Sequence, residues 1–87
     1  MLHIIKIKEP YADAIIDGRK AFEVRLNDRG YNTGDKVKFK VLYSDGLLFS
    51  SHPLNDRLYT ITYVHSGYGL DPNYVVFGIK ENKEAEL

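Results

Sequence analysis

Lysine recurs at positions 36, 38 and 40, and Val37, Phe39, Val41 and Tyr43 stand between and after them. A period of two puts the lysines on one side of an extended chain and the apolar groups on the other, a separation that helical geometry cannot produce. Residues 36–44 are therefore expected to form a strand in a sheet with one dry and one wet face. Asp45-Gly46 follows, a dipeptide suited to the positive-φ backbone of a tight hairpin. Residues 47–51 are accordingly expected to return as a short strand.

The same reasoning organises the rest of the chain. Residues 2–8 read as a first strand, with His3, Ile5 and Ile7 on one face and Lys6 and Lys8 on the other. Pro10 suits the first turn of a helix, where its missing N–H costs nothing. Residues 10–17 carry Tyr11, Ala14 and Ile15 at helical spacing, and Gly18 suits the left-handed position that ends a helix. Two turns are unstable alone, so this helix must lie on a sheet. Residues 20–26 alternate again, with Phe22, Val24 and Leu26 expected in the core and Ala21, Glu23 and Arg25 on the opposite face. Residues 27–35, 52–56 and 66–73 are rich in turn formers and read as loops. Residues 57–65 and 74–80 are further strands, the last apolar enough to be central. A single sheet of this length curls to hide its edges. The expected fold is mainly β (α+β): a small, partly open barrel of about six strands with one short helix after the first.

Eighty-seven residues support one domain with a small core. It is expected to span residues 1–80, followed by a frayed acidic tail at 81–87. The chain has no cysteine, which removes disulfides and thiolate chemistry. His3, His52 and His65 lack metal-ligand spacing, and no cofactor is implied. No apolar run approaches the roughly 20 residues of a membrane helix. The early charge in Met-Leu-His-Ile-Ile-Lys is unlike a signal peptide, so the expected location is cytoplasmic. The formal net charge is zero, yet residues 19–40 hold seven basic residues against three acidic ones. Such an excess suits an anionic partner and equally suits a solvated strand face.

The residues 18–25, Gly-Arg-Lys-Ala-Phe-Glu-Val-Arg, fall at the expected helix-to-strand junction, and Gly34-Asp35 precedes the next strand. This arrangement resembles the Gly-x-Lys-x-x-Glu-x-Arg signature of ASCH domains, members of the PUA-like superfamily, in which a Gly-Asp pair also leads into a barrel strand. With His3 and the run from Glu23 to Arg29, the chain is most similar in pattern to a short bacterial and phage branch of ASCH-related proteins. The resemblance implies a PUA-like barrel with a cleft beside the helix, lined by Lys20, Glu23 and Arg25, that receives RNA or a nucleotide-like ligand.

These residue types suit that task. A guanidinium makes bidentate contacts to phosphate or a base edge, and an ammonium acts as a point charge. Glu23 can orient Arg25 or accept from a base amino group. The bland alternative is a surface ion pair between Glu23 and Arg25 with Lys20 solvated. Arg29 and Tyr31 stand in the following loop; Tyr31 is either a base-stacking ring or a cover for the barrel end, and Tyr68 and Tyr74, which flank the second Gly-rich loop, carry the same ambiguity. His3 is read as a hydrogen-bonded core histidine before a ligand. Some ASCH proteins are amidohydrolases acting on acylated cytidine, with a lysine matching Lys20 and a hydroxyl nucleophile three residues later. Glu23 stands there instead, and only Asp71 loosely matches their later carboxylate. An enzyme built on this chain would rely on Lys20 as oxyanion stabiliser and Glu23 as base. A third reading is a phage or mobile-element accessory protein that binds a host protein. The sequence leaves the oligomeric state open.

Overall fold

The computed structural model describes residues 1–48 and 51–83. Five strands form one sheet: β1 (Leu2–Lys8), β2 (Phe22–Leu26), β3 (Lys36–Leu42), β4 (Leu58–Ser66) and β5 (Tyr74–Glu81). A short helix, α1 (Glu9–Ile16), follows β1, and a 3-10 turn (Pro53–Asp56) precedes β4. The strand order is β1-β3-β4-β5-β2, with β1 and β3 parallel and the other neighbours antiparallel. The sheet curls into a half-barrel until its two edge strands, β1 and β2, face each other across a seam. Two guanidinium groups span that seam: Arg25 Nη2 donates to the Lys6 carbonyl at 2.6 Å, and Arg29 Nη1 donates to the Ile4 carbonyl at 2.9 Å. Edge strands otherwise leave a row of unpaired backbone groups, and these contacts occupy two acceptors of β1.

The concave side holds the core. Phe39, Phe77, Ile5, Leu54, Ile61, Val37 and Val41 are fully buried. Phe39 and Tyr59 meet edge to face with centroids 5.6 Å apart. The alternations expected in residues 2–8 and 36–42 hold: His3, Ile5 and Ile7 point inward from β1, and Val37, Phe39 and Val41 point inward from β3. Helix α1 lies against β1, β3 and the 3-10 turn. Its buried residues are Ala12 and Ile15, while Tyr11 is exposed, so the contact face is rotated from the expected Tyr11/Ala14/Ile15 stripe. The small Ala12 lets the helix axis approach the sheet, and the bulky Tyr11 is left over the seam. Gly18 ends the helix at φ +86°, with its amide donating to the Ile15 carbonyl.

Three smaller expectations change at the turn and strand ends. The return strand at 47–51 reduces, among the described residues, to a single bridge between Leu42 and Leu48, with residues 49 and 50 outside the described set. The Asp45-Gly46 turn itself is present: Tyr43 donates to Leu47, and Asp45 Oδ1 accepts from the Leu47 amide. Tyr43 lies past the end of β3 and is exposed. Glu81, expected in the tail, is the last residue of β5 and accepts from Arg57 at 3.1 Å; residues 84–87 of the expected tail lie outside the described set.

The largest change concerns β2. Phe22, Val24 and Leu26 face outward, and Glu23 is buried. The pairing with β5 dictates this. Glu23 stands opposite Phe77 and Arg25 opposite Val75, and directly paired residues share a face. Phe77 and Val75 are in the core, so Glu23 and Arg25 point inward with them. A slip of one residue would exchange the two faces of β2. A bulge between Ile61 and Tyr63 further sets the register, and Gly78 accommodates it. A Cβ at Gly78 would meet Thr62 Oγ1 at 2.6 Å.

Candidate functional site

Beyond Gly18 the chain turns beneath the helix end, where the Lys20 amide donates to the Ala14 carbonyl. That bend aims the Lys20 ammonium along β2, where it donates to Glu23 Oε1 and to the Phe22 carbonyl, the latter at 2.8 Å. The ammonium also lies 5.3 Å from the Phe22 ring centroid and 5.8 Å from that of Tyr11, within cation–π range. Arg25 Nε donates to Glu23 Oε2 at 2.8 Å. Glu23 therefore has one oxygen held by a lysine and the other by an arginine. Its side chain is 5% exposed, against 17% for Lys20 and 24% for Arg25. A buried carboxylate is tolerated only when paired and hydrogen-bonded, and this one is satisfied on both sides. The cluster is a half-buried triad rather than a surface ion pair.

The triad lines a cavity of about 550 Å³ at the seam. Lys6, Ile7 and Lys8 of β1 form one wall; Glu23, Val24, Arg25 and Leu26 of β2 form the other, with Tyr11, Lys20, Leu42 and Tyr74 completing it. Four cationic residues and one carboxylate thus line the cavity, and two of the cations, Lys20 and Arg25, bond the carboxylate. The sequence reading named Lys20, Glu23 and Arg25. It assigned Lys6 and Lys8 to the wet face of β1 without a role, because nothing local marks a strand as the edge bordering a cleft. Tyr11 was expected on the packing face of the helix, and Tyr74 was read, like Tyr68, as either a stacking ring or a cover.

The other candidates stand apart from this cavity. Tyr31 is buried in the core, its ring 4.7 Å from His3 and 4.8 Å from Phe77. At 6% exposure it leaves no open face for base stacking. Burial raises its phenol pKa above the usual 10.0, opposed by the nearby charges of Arg29 and then Arg25. Arg29 Nη1 donates to the Ile4 carbonyl, with Asp28 3.9 Å away, and Arg29 does not line the cavity. Tyr68 is fully exposed in the loop after β4, where its carbonyl pairs with His65 Nε2 at 2.9 Å. Asp71 Oδ1 accepts from the Asn73 amide and so shapes the turn into β5. His3 is the hydrogen-bonded core histidine expected: Nε2 pairs with Asp35 Oδ2 at 2.8 Å. Asp35 also accepts from the Asn32 amide, and its own carbonyl accepts from the Ile61 amide. The Gly34-Asp35 pair therefore ties β1, the preceding loop and β4 together. The bond to His3, first, and that to Asn32 hold the Asp35 carboxyl below its ordinary value against the opposing effect of burial.

The fold and the seam cavity define a small half-barrel domain with a charged cleft between its edge strands. Residues 2–79 match the family described as Domain of unknown function (DUF3850), and the chain belongs to that family. Among solved structures it is similar to the crystal structure of hypothetical protein PH0355, with a TM-score of 0.63 and 15% identity over 94% of this chain and 100% of that chain. At that identity the likeness is one of fold. No curated protein matches. Among the described residues, no helix is long and apolar enough to cross a membrane.

Proposed function

We propose that this is an ASCH-type module whose seam cleft binds RNA or a nucleotide-like ligand. The observation that carries the reading is the cavity lining: Lys6, Lys8, Lys20 and Arg25 against the single carboxylate Glu23, with Tyr11 and Tyr74 beside them. The cations suit a phosphate and the rings suit a planar base. A volume of about 550 Å³ falls within the roughly 300–1,000 Å³ of ordinary ligand pockets. Lys6 and Lys8 are exposed, so their ammonium groups are available to an incoming anion. The bonding of Glu23 favours binding over hydrolysis. Both of its oxygens already accept from cations, so taking a proton from water requires breaking one of those contacts first.

The test uses Lys6→Ala and Lys8→Ala, which leave the buried triad intact. Fluorescence anisotropy with short single-stranded RNAs and with nucleoside monophosphates should give affinity that falls with salt, by about 0.7 log units per phosphate contact per tenfold salt. The double variant should bind several-fold more weakly while keeping the wild-type melting temperature. Binding that is undiminished in the double variant would remove the cleft from consideration. Turnover of an N4-acylated cytidine that disappears in Lys20→Met would establish the amidohydrolase reading in its place.

A further inference from the structure

The inverted β2 strand leaves an apolar surface on the outside of the sheet. Paired positions across β4, β5 and β2 share a face, which places Tyr63, Gly78 and Phe22 in one row. His65, Val76 and Val24 form the next row, and Tyr74 and Leu26 a third. Phe22, Val24, Leu26, Tyr63 and Tyr74 are 41–67% exposed. Scattered exposed apolar residues are ordinary, but five large ones in adjacent rows of one sheet are not.

We infer that this face is a homodimer interface in which two copies pack β4-β5-β2 against β4-β5-β2 as a sheet sandwich. Area supports this occupant. With full aromatic areas of roughly 150–250 Å² each and aliphatic ones somewhat less, the five residues expose on the order of 450–500 Å². A stable interface needs about 800 Å² per partner, of which about 60% is apolar. The patch therefore supplies the apolar centre, and His65, Lys80 and Thr60 at its margin supply a polar rim. Charge supports it too. The central rows themselves carry no carboxylate, lysine or arginine, and the Lys20 ammonium 5.3 Å from the Phe22 ring is already paired with Glu23. The formal net charge of zero adds no long-range barrier between copies. An RNA strand is disfavoured on this face, since the rows lack the cations that phosphates require. Two sheets meeting face to face at about 10 Å would form a second core on the outer surface. Val24, Leu26 and Tyr74 also line the seam cavity, so the second copy would stand at the mouth of the cleft.

This inference shares Val24, Leu26 and Tyr74 with the seam cleft, and it is tested without a ligand. Sedimentation velocity and light scattering on the full chain, from micromolar to millimolar concentration, should give twice the mass of one chain. Val24→Glu and, separately, Tyr63→Glu should each shift the species to a single chain, with circular dichroism and melting of the monomer kept native. Because the two substitutions lie on different strands and both side chains are exposed, loss of folding in one leaves the other to decide. A wild-type chain that stays monomeric at millimolar concentration overturns the inference. A dimer that persists in both variants also overturns it.

Discussion

Replacing Glu23 by alanine tests whether the triad is part of the fold. The carboxylate accepts from Lys20 on one oxygen and from Arg25 on the other. Hydrogen bonds to charged groups contribute about 1.5–3 kcal/mol each, so an upper figure for the two is about 3–6 kcal/mol. The partners recover part of this. Lys20 and Arg25 keep 17% and 24% side-chain exposure and can turn toward water once released, and Lys20 retains the Phe22 carbonyl. The expected net loss is about 2–4 kcal/mol, which at about 4–8 °C per kcal/mol for a domain this size lowers Tm by on the order of 10–25 °C. Urea and thermal unfolding followed by circular dichroism measure it, with exposed Lys8→Ala as a control expected within about 0.5 kcal/mol of wild type. A surface ion pair would give only about 0–1 kcal/mol. A loss below about 1 kcal/mol for Glu23→Ala would therefore refute the buried triad. The double variant Glu23→Ala/Arg25→Ala should lose less than the sum of the single losses, because each single loss already counts the shared Glu23–Arg25 contact, although Lys20 loses its carboxylate in both Glu23 variants.

Two further outcomes follow from the packing. Gly78→Ala places a Cβ against Thr62 Oγ1 and should cost about 1–3 kcal/mol; Thr62→Ala, which deletes that oxygen, should restore most of it in the double variant, read from urea midpoints. Asp35 has its pKa lowered chiefly by His3, so its ionised form is favoured by folding. The stability it contributes is present above the ordinary value of 3.8 and is lost as pH falls through the lower folded value. Asp35→Asn should be less stable than wild type at neutral pH and show a flatter acid limb below about pH 4; an acid limb unchanged in slope would count against that linkage.

The sequence was sufficient for the five main strands, the helix and the Lys20–Glu23–Arg25 part of the cleft. Alternation at 2–8 and 36–42 names residues that share a face because a strand's period is two, and Gly18 marks the helix end because φ there is positive. Lys20, Glu23 and Arg25 were legible as a group because the helix end and the i, i+2 spacing of Glu23 and Arg25 bring them together. Tertiary structure alone decided which face of β2 turns inward. Alternation divides residues into two sets without saying which set is buried, and the usual rule sends Phe22, Val24 and Leu26 to the core. That choice was made by the long-range register with β5, where Phe77 and Val75 must be buried and carry Glu23 and Arg25 in with them. Two neighbouring cations make the burial of Glu23 tolerable, and the displaced apolar stripe is left on the surface. The edge status of β1 and β2, and with it the seam cleft and the roles of Lys6 and Lys8, likewise depends on strand order, which local patterning does not encode.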